Sequence, residues 1–315
     1  MSQAPAVAIP AAAAAPPVPP PPASFAGRCA LFASDIKISH SVFAMPWAIL
    51  AAVMAWHRVG GPILGKLAIV IACMITARTV AMAANRLLDA RLDQLNPRTA
   101  RRAIPSGRLA GGFVVGVLAC CATLFVAATS LFWFLYRNPW PVLLSLPVLA
   151  LLSAYPLLKR FTRLCHYYLG AALAMAPMCA WVAVSGGIDW PPVLMAGAVL
   201  CWTAGFDIIY ACQDYESDCQ TGVVSVPARL GIARALWASR ATHVVSFALL
   251  VLLGVLAPEL SVLYFIGVAC AGVLLVVEHG IVKPHDLSKV GLAFFTVNGI
   301  ISLLLGTLGV IDVLA

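Results

Sequence analysis

Charged residues are scarce in this chain: 10% of its 315 residues are Asp, Glu, Lys or Arg, and the acids number only 12. Ordinary soluble domains carry roughly 25%. With 62% hydrophobic residues and a mean hydropathy of +0.97, a water-soluble fold is excluded. Disulfide and metal-ligand spacing of cysteines is missing too. The 10 cysteines stand singly or as Cys120-Cys121 among apolar neighbours, where a thiol packs as a small hydrophobe. The N-terminus lacks the basic start and apolar run of a signal peptide. Residues 1–30 are instead expected to form a disordered tail: the first stretch is dominated by Ala and Pro, with Pro16, Pro17 and Pro19 to Pro22 nearly contiguous and no charge before Arg28.

What is present is apolar sequence in long runs. Stretches near 41–56, 63–84, 111–133, 139–158, 167–186, 191–211, 236–257, 260–280 and 290–312 approach the about 20 residues that a bilayer span needs. The spacing predicts an all-α, polytopic membrane protein of about nine transmembrane helices, one domain over 31–315. The formal charge of +8 is not the footprint of a nucleic-acid partner, because of how it is distributed. If every second loop shares a side with the N-terminus, all 20 Lys and Arg fall there except Arg58, Lys66, Arg137 and the intramembrane Arg78. The positive-inside rule makes that side, with the N-terminus, cytoplasmic; the expected location is the cell's inner (plasma) membrane, multi-pass.

Half of the acids sit in two short segments on that side. Asp89 and Asp93 follow the second span; Asp207, Asp214, Glu216 and Asp218 close the sixth. Carboxylates near a membrane are costly and functional. Asn85, Asp89 and Asp93 stand at i, i+4 and i+8, one face of a helix, and Asp207, Tyr210, Asp214 and Asp218 are spaced for a second stripe. Like charges at i, i+4 repel, so each pair needs a cation. Hard oxygen donors at that spacing suit Mg²⁺, which keeps its remaining positions for water and phosphate oxygens.

Cations accompany the acids. Arg98, Arg101 and Arg102 follow the first segment, Lys159, Arg160 and Arg163 the fourth span, and Arg229 the second segment. Arg102 and Lys159 are expected to hold the surplus negative charge of a metal-bound diphosphate, whereas Arg163, Arg234 and Arg240 obey the positive-inside rule alone. Arg78, seven residues before Asn85, faces nearly the same way; a salt bridge to an aspartate and a diphosphate contact are both open for it. The two acidic segments also rhyme, each followed by a Pro-containing turn and a basic residue, Pro105 to Arg108 and Pro227 to Arg229. A degenerate repeat presenting two metal half-sites to one ligand would look like this.

At these residues the chain resembles the UbiA superfamily of intramembrane aromatic prenyltransferases. The first family signature is matched by Asn85, Asp89 and Asp93, with a flank in Arg98-Thr99-Ala100-Arg101-Arg102-Ala103-Ile104-Pro105-Ser106-Gly107. The second is matched by Asp207, Tyr210, Ala211, Asp214 and Asp218, and a Y-x-x-x-K element by Tyr155 and Lys159. Two positions depart from the pattern: Arg86 stands where aspartate is commoner, and Ala103 where proline is. The resemblance covers about 35–312 and implies a bundle around a central cavity that opens sideways to membrane lipid under two Asp-rich cytoplasmic loops. It implies that Asn85, Asp89, Asp93, Asp214 and Asp218 bind Mg²⁺ and a polyprenyl diphosphate, that Asn85, Arg102, Lys159, Arg78 and Tyr155 hold the diphosphate, and that Asp207 lies nearer an aromatic acceptor. Asp89, Asp93, Asp207, Asp214, Asp218 and Lys159 are thus the catalytic candidates. The runs Ala77 to Ala83, Gly205 to Tyr210 and Ile38 to Pro46 are similar to 4-hydroxybenzoate polyprenyltransferase-like members, and within them to the branch associated with futalosine-route menaquinone synthesis. The reaction expected is prenylation of an aromatic acceptor such as 4-hydroxybenzoate for ubiquinone or menaquinone; a naphthoate precursor, haem or chlorin are alternative acceptors.

Phe43, Trp47 and Tyr155 are candidates to stabilise a prenyl cation through their π faces, with interfacial packing as the plainer role. His40 could meet an acceptor carboxylate or sit at the interface. Asn298 is expected to bond another helix, while His243 and His279 carry no assignment. A secondary transporter with an Asp-lined site is the alternative class, but its acids would lie at mid-membrane, not at helix ends on one face. The D-x-x-D-G-x-x-A-R pattern of the CDP-alcohol phosphatidyltransferases is absent.

Overall fold

The computed structural model describes residues 19–37 and 43–315. Most of the tail expected over 1–30, and His40, lie outside the described residues. The first helix, α1 (Phe25–Asp35), is capped by Ser24, whose Oγ accepts from the Gly27 amide at 3.0 Å. Helical order therefore begins inside the stretch expected to be tail. There follow α2 (Met45–Val59), α3 (Ile63–Leu95), α4 (Gly111–Tyr136), a single turn α5 (Trp140–Leu143), α6 (Ser145–Leu158), α7 (Cys165–Ser185) and α8 (Trp190–Ala211). A 3-10 turn at Cys212–Asp214 leads to α9 (Tyr215–Thr221), α10 (Val226–Leu230), α11 (Ile232–Leu256), α12 (Val262–Ile281) and α13 (Val290–Leu292); a π-helical turn at Ala293–Val297 runs into α14 (Asn298–Leu314). Among the described residues, seven segments are long and apolar enough to cross a membrane. The remaining two predicted spans correspond to shorter helices, α2 of 15 residues and α6 of 14.

Helices without water between them gain nothing from hydrophobic exclusion, so close backbone approach has to come from small residues. The α7–α8 pair shows this. Gly170 on α7 faces Leu200 on α8 so closely that a Cβ would lie 2.3 Å from the Leu200 carbonyl oxygen, and Ala172, Ala174, Ala196 and Ala198 are buried alongside. From this pair the packing continues through α8 to α11, α12 and α14 on one side and from α7 to α2 on the other, with α14 closing against α2; α3 packs on α4 and α6. The side away from the acidic segments is clamped by Arg58, which pairs with Asp189 at 2.7 Å and Glu259 at 2.8 Å between the rings of Trp181 and Trp190.

Several polar groups inside the bundle are paired across helices, as an apolar medium favours, although Trp47 Nε1, Thr203 Oγ1 and Glu278 Oε2 are buried with no partner among the described residues. Asn298 accepts from Trp202 Nε1 at 2.7 Å and donates to Glu278 Oε1 at 2.8 Å and to the Ala293 carbonyl at 3.0 Å. That is the interhelical role expected of it, and it braces the π turn that precedes it. His243 and His279 face each other at 2.9 Å. All 10 cysteines are free.

Gly170→Ala should lower the thermal unfolding midpoint in detergent, because overpacking against a backbone carbonyl costs about 1–3 kcal/mol. Gly116→Ala, where an added Cβ meets nothing within 4 Å, should not lower it. Equal midpoints for the two variants would refute the close contact.

Candidate active site

Helix α3 continues past its apolar stretch to Leu95, and this extension carries Asn85, Asp89 and Asp93 down one face. Asp89 is only 1% exposed. Its Oδ2 accepts from Lys159 Nζ at 2.6 Å and from Asn85 Nδ2 at 3.0 Å, while its Oδ1 is buried with no partner among the described residues. Asp93 accepts from Arg102 Nη1 on both oxygens at 2.8 Å, and the Thr99 hydroxyl donates to the Asp93 carbonyl at 3.0 Å, tying the following turn to the helix. Removing either cation would leave a buried charge unpaired, a loss of about 3–5 kcal/mol.

The second segment does not lie on one continuous helix. The 3-10 turn at Cys212–Asp214, with about three residues per turn, resets the register between Asp207 and Asp214. Both still face the same space. Asp214 accepts from Asn96 Nδ2 at 2.8 Å, Arg98 Nε at 2.8 Å and Arg98 Nη2 at 2.5 Å, and Arg98 Nη1 donates to the Tyr210 hydroxyl at 2.8 Å. Burial works against the charge on Arg98, but its bonds to Asp214 outweigh that and hold the guanidinium above its ordinary value. Asp218 accepts from the Ser225 hydroxyl at 2.7 Å. The residues just after the first segment thus grip the second.

All of these groups line one chamber of about 690 Å³ that runs from Asp214 to Ile188, in the turn between α7 and α8. The candidate catalytic, metal and diphosphate residues, Asn85, Asp89, Asp93, Asp207, Asp214, Asp218, Lys159, Arg102, Arg78 and Tyr155, are all on its wall. Below the charged end the wall is apolar, with Val70, Met74, Phe125 and Val148 among its side chains. Arg78 makes no salt bridge to an aspartate. It donates to the carbonyls of Ile36 and Lys37 at 3.4 and 3.2 Å, and its Nε is buried without a partner among the described residues.

Three further corrections concern the wall. Phe43 and Trp47 are buried against Trp202 and Phe206 and are not on the chamber surface; Phe294 and Phe295, turned inward by the π segment, and Tyr210 are. Lys37, counted from sequence only as one cytoplasmic cation, holds its Nζ 4.4 Å from the Phe295 ring centroid on the chamber wall. Desolvation, then the nearby Arg98, Arg102 and Arg86, lower its pKa. His166, which no spacing picked out, bonds Asp207 at 2.7 Å through Nδ1.

The two departures from the family pattern share one cause. Asp35, at the end of α1, accepts from Arg86 Nε at 2.8 Å and from the Ala103 amide at 2.9 Å, and its carbonyl accepts from Arg86 Nη2 at 2.8 Å. An aspartate at 86 would repel Asp35, and a proline at 103 has no N–H to donate.

These features define a polytopic helical membrane protein whose apolar chamber ends in paired acids and cations. Residues 44–300 match the UbiA prenyltransferase family, and the chain belongs to it: it is a prenyltransferase and a multi-pass membrane protein. It is 30% identical over 241 residues to a 4-hydroxybenzoate octaprenyltransferase from Marinobacter nauticus, covering 76% of this chain and 79% of that one. A second enzyme of that description, from Cronobacter sakazakii, is 30% identical over 76% and 80%. Among solved structures, the apo form of a UbiA homologue from Aeropyrum pernix K1 superposes with a TM-score of 0.78 at 29% identity, covering 87% of this chain and 98% of that one. A UbiA homologue from Archaeoglobus fulgidus, bound to DMAPP and Mg²⁺, shares the fold at a TM-score of 0.68 and 17% identity, over 90% and 99%.

Ala103→Pro should destabilise the protein by about 1–3 kcal/mol, because Asp35 loses a buried donor. The check is the thermal midpoint, with an Asp35→Asn, Ala103→Pro double variant as comparison. A proline variant as stable as the parent would dissociate Ala103 from Asp35.

Proposed function

We propose that this chain transfers a polyprenyl group from its diphosphate to an aromatic acceptor of the 4-hydroxybenzoate type, in quinone biosynthesis, with the acidic segments on the cytoplasmic side. The observation that carries the reading is the buried, unpartnered Asp89 Oδ1 beside Lys159, Arg102 and Arg98, at the head of an apolar chamber. The names of the relatives, 4-hydroxybenzoate octaprenyltransferases, support the acceptor and the polyprenyl donor.

The residues fit a divalent cation. The donors are hard oxygens, the set Mg²⁺ takes alongside phosphate, and Asp89 has an oxygen to spare. No cluster of three or more His, Cys, Asp or Glu able to hold a metal occurs among the described residues, and a cation here would draw its remaining ligands from phosphate oxygens and water. Asn85, Asp89 and Asp93 would hold one cation and Asp214 and Asp218 another. Bound there, the metal supplies Lewis-acid neutralisation of the diphosphate.

Lys159, Arg102 and Arg98 are engaged with Asp89, Asp93 and Asp214, so they are already aimed into the site. On binding they exchange carboxylate for phosphate oxygens, and Arg78 and Tyr155 add donors from the chamber wall. The bond between prenyl C1 and oxygen breaks with its electron pair left on diphosphate, where these fixed donors stabilise it. A π pair of the acceptor ring forms the new carbon–carbon bond to C1, and the ring regains aromaticity by giving its proton to an oxygen of the departing diphosphate. The apolar wall keeps water from the allylic cation meanwhile. Tyr210, Phe294 and Phe295 present ring faces to it.

Protein in lipid nanodiscs, given a polyprenyl diphosphate, 4-hydroxybenzoate and Mg²⁺, should form the prenylated acid and release pyrophosphate, both read by mass spectrometry. Asp89→Ala and Asp214→Ala should each lower turnover by at least about 10²–10³-fold with helical circular dichroism intact, and chelation by EDTA should stop turnover until Mg²⁺ is restored. Retained turnover in either variant refutes the assignment.

A further inference from the structure

The chamber has a second charged wall that the diphosphate does not need. Asp207, in the body of α8, is separated from the paired acids by the 3-10 turn, and none of Lys159, Arg102 or Arg98 bonds it. Its one partner among the described residues is His166, in the first turn of α7, at 2.7 Å from Nδ1 to Oδ2. His166 is 3% exposed and belongs to the chamber lining, as Asp207 does.

The protonation of this ring follows from its other nitrogen. Nε2 lies 3.2 Å from the backbone nitrogen of Val226. A backbone N–H can only donate, so Nε2 carries a lone pair, and in the neutral ring the hydrogen sits on Nδ1. Nδ1–H then donates to Asp207 Oδ2. Both ring nitrogens are committed, so His166 has no lone pair with which to take a proton from a substrate. What it does is fix the carboxylate: Oδ2 is held, and Oδ1 has no partner among the described residues.

We infer that His166 is a positioning residue for Asp207, turning Oδ1 alone into the chamber as the acceptor site, and that this wall selects an acceptor presenting a hydroxyl group. A hydroxyl can donate to Oδ1, which draws electron density toward the ring carbons beside it. A carboxylate at the same place would face another carboxylate, and an ether or a bare C–H has nothing to donate. An aromatic acid therefore enters with its hydroxyl toward Asp207 and its carboxylate elsewhere. The pair also ties the two ends of the site together, because Val226 directly follows Ser225, which bonds Asp218. The inference rests on the proposed aromatic prenylation.

His166→Leu removes both bonds at similar volume, while His166→Asn keeps an N–H where Nδ1 stood. With 4-hydroxybenzoate, His166→Leu should lower kcat or raise the acceptor KM, for a combined loss of about 10–100-fold, and leave the polyprenyl diphosphate KM within about twofold. His166→Asn should recover most of the loss. The preference for 4-hydroxybenzoate over 4-methoxybenzoate should shrink in His166→Leu, and His166→Leu, Asp207→Asn should be no slower than Asp207→Asn alone. Losses that multiply in the double variant, or an equal rise in the diphosphate KM, would overturn the inference. Should the parent protein transfer no prenyl group to any aromatic acid, the reading under Proposed function fails instead, and the ring nitrogens decide this one. Their ¹⁵N spectrum, with the His166 signals identified by their loss in His166→Asn, should show a neutral, Nδ1-protonated ring; a ring protonated on Nε2 refutes the pair.

Discussion

Arg98 reaches from the loop after α3 to Asp214 in the 3-10 turn after α8, and Asn96 joins it on the same carboxylate. That contact joins two acidic segments more than a hundred residues apart and so makes one site of them. It is electrostatically required. Several carboxylates facing one low-dielectric chamber would otherwise repel one another into protonation, and here three of them have a cation within 2.8 Å. The unliganded site is thereby close to self-neutralised. In the proposed reaction a phosphate-bearing ligand arriving with divalent cations would find its donors held in place, and a change of partner would replace a search by flexible side chains.

The apolar body of the bundle leaves that head free to be polar. Buried polar groups elsewhere pair with each other, Asn298 with Trp202 and Glu278 and His243 with His279, while the exposed Arg58 pairs with Glu259 and Asp189. The Asn298 network does more than satisfy itself, because it stands immediately behind the π turn that brings Phe294 and Phe295 to the chamber wall. π-helical turns occur often at functional sites, and here the irregularity sets the aromatic surface.

What was legible in the sequence was whatever obeyed a local period. The stripe Asn85, Asp89, Asp93 could be read because α3 is an uninterrupted helix through all three, and the apolar runs because a bilayer fixes their length. The stripe through Asp207 and Asp214 was only half legible, since a 3-10 turn hides no less than a helix does behind the same residue types. Phe43 and Trp47 take the plainer packing role, and a π turn far along the chain decides which aromatics face the chamber. His166 and Asp35 left no local signal at all: their partners lie 41 residues away for His166, and 51 and 68 away for Asp35, and only the folded bundle brings them together. Arg78 was visible as an intramembrane cation, but its carbonyl partners on the Ile36–Lys37 turn were not.

The meeting of Asp35 with Arg86 and Ala103 bears on how such chains can be recombined. The segment before the first long span is fastened to the helix carrying Asn85, Asp89 and Asp93 by the Asp35 side chain, which takes its donors from Arg86 and the free amide at 103. Grafting the N-terminal arm of a relative onto this bundle would strand a guanidinium in apolar surroundings unless the three positions were exchanged together, so inheritance at this corner is of a trio and not of single letters.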